Sequence, residues 1–565
     1  MTFLLKAETF LSKGSAYILR HDAYLFCALL AVLIPAMAWL QRSPRWLERR
    51  AALGWVLRGL AVILLAGFCG VAIQYLVTPV YFEHVEPQIP EAAWYRLTGH
   101  PLYPNLDSAQ IYNLPYGPMT YWLQGWFDQW FGPSLMAGKI PGVLANIAML
   151  GVLFWVFKRQ SSAKIALLAV GLSAAFFMKA DGNAITGRSD SLLCLFVALG
   201  LAAATSRLRA TPIILGVLLG IAANFKIHAA LYFIPVAAVA LHNGYTVKQG
   251  LAAVGVSLVV FLAPFFCLAN ISLMDYLLFI KAIVGHGFSL LKLQQLLWCF
   301  AVVMMAGAGA WLLWRAENRA QAAAAVRANA LVVGGFLLSF VLLLAPASKY
   351  GAGSHHLMPW LVATPYLALE FYRSGFGAAW LNPQRARCSQ VFLLAWAFAC
   401  FAEALLALNK VEAALEEHAS DGAKVVADIQ NVLQTHDQDY TILMGVGGQD
   451  DAWLTSYRCL LIFDHMPIGI DWVALMDYKR AHQPASELAK FVAEMQAERS
   501  APKGVLWLVP KYAAPFSVLT YYPPYDVLFD PRFRDDFARQ FKHTGSSEFY
   551  DFYTSASPPG PAAAK

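Results

Sequence analysis

The feature that most constrains this chain is its run of long apolar segments. Lipid offers no partner for an open backbone, so a segment of roughly 20 apolar residues in a bilayer must close its hydrogen bonds inside a helix. About twelve segments approach that length: 22–41, 55–78, 138–158, 164–181, 189–206, 211–225, 228–242, 250–269, 294–315, 330–346, 356–372 and 389–408. The pair 211–225 and 228–242 is short, and Lys226 stands between its members. Only 14% of the residues are charged, against roughly 25% in soluble domains. The expected fold is therefore an α-helical polytopic membrane protein. A net charge of +7 in 565 residues gives no reason to expect a nucleic-acid partner. Of eight cysteines, seven lie in or at apolar segments, none is paired at metal-ligand spacing, and only Cys459 lies in a polar region; they read as packing residues.

Lysine and arginine set the orientation. The loop after the first segment holds Arg42, Arg45, Arg49, Arg50 and Arg58, which places it in the cytoplasm. Alternating from there, Lys158, Arg159, Arg209, Lys248, Arg315, Arg319, Arg327 and Arg373 fall on the same side, whereas 79–137 holds only Arg96. Both termini are then expected outside. Ala36-Met37-Ala38 resembles a signal-peptidase site, but cleavage there would leave the arginine-rich loop on the wrong side. The expected layout is a membrane unit over 1–408 with a first outward loop at 79–137, an outward α/β domain over 409–556, and a disordered tail at 557–565. In that domain 411–434 and 486–498 read as helices, and 441–446, 460–463 and 505–509 as buried strands.

The polar groups that carry chemistry gather on the outward turns. The first loop concentrates Glu83, Glu86, Glu91 and Asp107 among tyrosines and prolines. In Glu83-His84-Val85-Glu86-Pro87 both acids follow an apolar segment directly, and a partly desolvated carboxylate makes a usable base. The alternative is a solvated loop start or a helix cap. Asp181 and Gly187-Arg188-Ser189-Asp190 sit in a later outward turn. Arg188 suits a phosphate, and Asp190 either orients it or caps the next helix. Lys226, flanked by apolar segments, either meets an anion or snorkels. Lys349-Tyr350-Gly351-Ala352-Gly353-Ser354-His355-His356 is a glycine-flexed turn, either suited to a phosphate or sugar or simply a flexible connection. Adjacent histidines rarely ligate one metal together, and no third ligand is evident, so no metal site is assigned. The segment 270–293, with Lys281, His286 and Lys292, reads as an amphipathic interfacial helix. Gly445–Asp450 resembles a phosphate loop but has Asp450 where the fingerprint needs glycine.

Taken in order, these motifs resemble the GT-C superfamily of polytopic glycosyltransferases, near the protein mannosyltransferase and lipid A aminoarabinose transferase group. The resemblance spans roughly 55–400. It comprises an acidic loop (EHVEP), GHPLY at 99–103, LPYGPMTYWLQGWFDQWFG at 114–132, GRSDSL at 187–192, ANFKIHAALYFIP at 223–235 and GAGSHHLMPWL at 351–361. The chain departs from it in having H-x-E-P for the usual Asp-Glu pair, Ser189 for proline, and an extra first segment. The resemblance implies transfer of a sugar from a polyprenyl-phosphate donor to a lipid, glycan or protein acceptor of the cell envelope, at the outer face of a bacterial inner membrane and with inversion. Glu86 is expected as the base, with Glu83 or Asp190 supporting. Arg188, Lys226 and Lys349 are expected on the phosphate, with His84, His355, His356, Tyr103 and Tyr116 lining the substrate site. Tyr95, Tyr112 and Trp122 are further candidates for the sugar. A divalent cation is neither required nor excluded. The competing classes are a transporter of a lipid-linked glycan and a glycan polymerase or ligase. Transporters place ionisable groups at mid-membrane, and here those positions are almost free of charge.

Overall fold

A computed structural model describes residues 14–42, 46–105, 108, 110–112, 116–180, 185–206, 208–284, 287–317, 319–376, 387–480, 490–491, 504–521 and 525–555. Asp107, Asp181, His286, most of the helix expected at 486–498 and the tail at 557–565 lie outside the described residues.

Each of the twelve apolar segments falls on a helix. In chain order the helices are α1 (Gly14–Gln41), α2 (Trp46–Val77), α3 (Gln88–Leu97), α4 (Pro118–Phe131), α5 (Leu135–Gln160), α6 (Ala163–Ala180), α7 (Ser189–Ser206), α8 (Thr211–Ala223), α9 (Ala229–His242), α10 (Val247–Cys267), α11 (Leu273–Val284), α12 (Leu290–Glu317), α13 (Arg319–Ala328), α14 (Ala330–Ala347), α15 (Met358–Phe371) and α16 (Arg387–His436). Among the described residues six helices are long and apolar enough to cross a membrane, and the other apolar ones are shorter. Their ends follow local rules. Ser134 accepts a hydrogen bond from the Ala137 N–H at 3.1 Å and starts α5; Thr246 and Gln249 form a capping box at α10.

The loop between α2 and α5 is folded rather than extended. It contains α3 and α4, and its apolar residues Ile89, Ala92, Leu102, Tyr103 and Tyr121 share a core with Phe265 and Tyr276 from the bundle end and with Trp507 and Val509 from the C-terminal sheet. The loop is thus held between the bundle and that sheet.

The C-terminal part has a four-stranded sheet: β1 (Tyr440–Met444), β2 (Gly504–Pro510), β3 (Phe541–Ser546) and β4 (Tyr550–Ser555), in the order β1-β2-β4-β3. β1 and β2 are parallel, with Ile442 opposite Leu506, and β4 runs antiparallel to both β2 and β3. Among the described residues this part also has the helices α17 (Arg458–Phe463), α18 (Trp472–Arg480) and α19 (Pro531–Gln540).

Three features differ from the expectation. The apolar run at 460–463 is not a strand; it belongs to α17, whose buried residues Arg458, Cys459, Leu461 and Ile462 recur at helical spacing. A run this short fits either period, and the turn of 3₁₀ helix before it (Ala452–Tyr457) starts it as a helix. The interfacial segment 270–293 is broken, α11 ending at Val284 and α12 starting at Leu290. The last apolar segment and the polar helix after it are one element. α16 runs 50 residues, about 75 Å at 1.5 Å per residue. It packs on α1, α2 and α6, and its later residues Val425, Ile429 and Val432 enter the core of the sheet. No proline or glycine separates the two stretches between Leu408 and Ser420, so nothing stops the helix.

Candidate active site

Four turns meet at the end of the bundle that carries the folded loop: 78–87 after α2, 185–188 before α7, 224–228 between α8 and α9, and 348–357 before α15. Two close approaches fix their spacing. A Cβ on Gly142 of α5 would lie 2.5 Å from the Thr186 carbonyl oxygen, and one on Gly117 would lie 2.1 Å from that of Asn224. Only glycine lets the backbones touch there.

Glu86 is the node of the first turn. One carboxylate oxygen accepts from the N–H groups of Phe82 at 3.1 Å and Glu83 at 3.0 Å. The other accepts from the Tyr75 hydroxyl and from the Gly187 N–H, the latter at 3.0 Å. The residue is only 2% exposed. Burial lifts its carboxyl to about 7, against the opposing pull of the Tyr75 and Gly187 hydrogen bonds. An acid whose folded pKa is raised contributes most to stability below its ordinary value of 4.5 and loses that contribution as pH rises to about 7. The thermal midpoint of the wild type should therefore fall between pH 5 and 7 more steeply than that of Glu86→Gln; parallel curves would remove Glu86 as the source.

Glu83 is more open, its side chain 21% exposed, and it pairs with Arg188 Nη1. Arg188 Nε lies 3.5 Å from Asp190. Asp190, in the first turn of α7, accepts two hydrogen bonds from Lys226 Nζ at 2.7 and 2.8 Å. Lys226 Nζ also stands 5.2 Å from the centre of the Tyr116 ring. The chain Glu83–Arg188–Asp190–Lys226 therefore joins three turns far apart in sequence. It is charge-balanced and nearly dry, with Arg188, Asp190 and Lys226 all buried.

Histidines extend it. His356 Nδ1 and His228 Nε2 are 3.1 Å apart, and the rings of His355 and His356 are 4.6 Å apart. Burial, then Arg188 for His355 and Lys226 for His356, hold these two well below the ordinary imidazole range. They act as neutral hydrogen-bonding groups among cations. Lys292 Nζ and His355 Nδ1 both border Gly353, each 3.5 Å from where its Cβ would be. Lys349 is bound to the Val284 carbonyl oxygen at 3.2 Å, and its charge contributes to depressing His228 and His356.

The other expected residues lie elsewhere. Tyr103 is 1% exposed and donates to the Tyr116 carbonyl oxygen at 2.7 Å, so it supports the site from behind rather than lining it. Its sequence neighbours gave no sign that the loop would fold over it. His84 packs against C-terminal aromatics, its ring 5.8 Å from Trp472 and 5.7 Å from Tyr521. Tyr95 stacks on His100, and the Tyr112 hydroxyl donates to the Pro101 carbonyl oxygen at 2.6 Å. Trp122 joins a stripe with Trp126 and Trp130 on α4. Among the described residues no three His, Cys, Asp or Glu side chains group as metal ligands.

Sequence reasoning passed over three charged groups. Lys139 on α5 caps α2 by donating to the carbonyl oxygens of Tyr75, at 3.0 Å, and Thr78. A lysine at the start of an apolar helix was its only signal. Arg458 donates to Glu91 at 2.6 and 3.1 Å and to Asp471 at 2.7 Å, all three residues being 4% exposed or less. This buried triad clasps α3 to α17 and to the start of α18. Beside it Asp471 N–H donates to the Ile111 carbonyl oxygen at 2.7 Å, and the Tyr457 hydroxyl to that of Pro79 at 3.0 Å.

The described residues thus form a helical bundle with acids and cations on turns at one end, beside an α/β sheet. Residues 115–268 match the family described as dolichyl-phosphate-mannose-protein mannosyltransferase. Of solved structures, ArnT from Cupriavidus metallidurans bound to undecaprenyl phosphate superposes with a TM-score of 0.51 at 12% identity, covering 91% of this chain and 99% of that one. Its apo form gives 0.49 at 12% identity over 90% and 98%, and an Archaeoglobus fulgidus oligosaccharyltransferase 0.42 at 11% over 80% and 69%. No curated protein matches in sequence. Over residues 115–268 the chain is thus similar to that mannosyltransferase family, and it shares its fold with ArnT.

Proposed function

We propose that the protein moves a sugar from a polyprenyl-phosphate donor to an envelope acceptor, at the outer face of a bacterial inner membrane with both termini periplasmic. The observation that carries this reading is the buried chain Glu83–Arg188–Asp190–Lys226. It sets two carboxylates and two cations side by side at one end of an apolar bundle. The ArnT structure that shares the fold was solved with undecaprenyl phosphate, which supports a donor of that chemistry.

We assign the base to Glu83 rather than Glu86. A base needs a lone pair directed at the substrate, and the four donors around Glu86 occupy its carboxylate. Glu83 takes the proton from the acceptor hydroxyl as its oxygen attacks the anomeric carbon. The bond from that carbon to the phosphate oxygen breaks, and the polyprenyl phosphate departs. One such displacement inverts the anomeric centre. Arg188 and Lys226, joined on the same side by Lys349 and Lys292, offset the charge on the leaving phosphate. Neutral His355 and His356 hydrogen-bond its oxygens, and Tyr116 borders the sugar. Glu86 holds the turn and Asp190 holds the two cations together.

The test is to reconstitute the full chain in proteoliposomes with a synthetic polyprenyl-phosphate sugar and a delipidated envelope extract as acceptor. Sugar should pass to acceptor with release of polyprenyl phosphate. Movement of intact donor across the bilayer without cleavage would point instead to a transporter.

A further inference from the structure

Glu83 and His84 are neighbours in one turn, yet they face different partners. Glu83 meets Arg188 and the cation cluster; His84 meets Trp472 at the start of α18 and Tyr521 beyond β2. Trp472 and Tyr521 also contact each other edge-on at 5.4 Å. The three rings close a small aromatic wall in which His84 and Tyr521 are half-buried and Trp472 forms the back.

We propose that this wall is the acceptor subsite and that it takes a saccharide ring. The inference rests on the reading of Glu83 as base. In a displacement at an anomeric carbon, nucleophile and leaving group occupy opposite faces of the sugar. The cations mark the leaving-phosphate side. The acceptor therefore approaches from the other side of Glu83, where His84 and the C-terminal aromatics stand. Ring faces suit the C–H faces of a sugar, with the hydroxyls left free to reach the base. Burial, helped by the Arg188 charge, holds His84 below its ordinary pKa despite nearby Glu83 and Asp471, so the three rings themselves are uncharged. A peptide would need an open strand edge or groove for its backbone, whereas His84 stands in a turn, Tyr521 at a bend and Trp472 at a helix start. The wall is also preorganised. The Trp472 indole N–H donates to the Thr455 hydroxyl at 2.9 Å, and Asp471, beside it, is fixed by Arg458.

The experiment uses the full chain in nanodiscs supplemented with polyprenyl phosphate. Saturation-transfer NMR is run with neutral mono- and disaccharides as one probe set and a Ser/Thr-containing peptide as the other. Ring protons of at least one saccharide should receive saturation in the wild type and in Tyr521→Phe. The signal should fall at least tenfold in Tyr521→Ala, with polyprenyl-phosphate affinity equal in all three. An undiminished saccharide signal in Tyr521→Ala overturns the assignment, as does a wild type that responds to the peptide alone or to neither probe. Failure of the wild type to bind polyprenyl phosphate would instead strike the donor reading, so the two failures are separable.

Discussion

Glu83→Gln is expected to lower the rate of transfer by about 10²–10⁴-fold, the range that a positioned general base contributes, while donor affinity stays the same or rises. The amide keeps the size of the side chain but cannot take the proton. It also frees Arg188 of the charge that now opposes it, leaving more of that cation for the phosphate. Glu86→Gln should differ in kind. It replaces one acceptor oxygen by an NH₂ facing buried donors, which costs about 1–3 kcal/mol. The variant should therefore lose thermal stability, whereas Glu83→Gln, whose partner Arg188 keeps Asp190, should lose less. Single-turnover rates and thermal midpoints of the two variants decide the matter. The reverse ranking, with Glu86→Gln fully stable and inactive and Glu83→Gln active, returns the base to Glu86.

The second large effect lies outside the reacting centre. Arg458→Leu should destabilise the protein by about 3–5 kcal/mol, because it leaves Glu91 and Asp471 buried together without their cation. Much of the loss should be recovered in the triple variant Arg458→Leu/Glu91→Gln/Asp471→Asn. It removes the charges, while the new asparagine side chain keeps an oxygen for the Val473 N–H, now bound to Asp471 at 2.8 Å. Chemical denaturation of wild type, single and triple variants in one detergent measures both steps. If the single and triple variants are equally unstable, the cost comes from lost packing rather than from uncompensated charge.

The helices were legible because hydrocarbon length is a one-dimensional property that a sequence states directly. The charged partners were legible as residues but not as pairs. Glu83, Arg188, Asp190 and Lys226 each stood out on a turn at an apolar boundary, where an ionisable group is expensive. Arg458 and Asp471 did not, since they occur in a polar region where charge is ordinary. Glu91, the other partner of Arg458, lies 367 residues from it, and no local pattern links them. His228 was in view beside Lys226 but gave no hint of His356. Tyr103, expected at the substrate site from its place in GHPLY, is buried by the loop's own core. The β3–β4 hairpin went unread because its strands carry exposed Lys542, His543 and Thr544 rather than a clean alternation.

The continuity of α16 has a consequence for how such a chain can vary. An α-helix turns about 100° per residue. Its first half is fixed among α1, α2 and α6, and Gly422 is fixed against the Pro79 carbonyl, 2.6 Å from where its Cβ would be. Inserting or deleting one residue between Leu408 and Gly422 would swing the sheet about the helix axis by that angle and carry Tyr457, Arg458 and Trp472 off the loop they touch. A whole turn would restore the angle but shift the sheet by about 5.4 Å along the axis, so the length of this one helix is set as tightly as its phase.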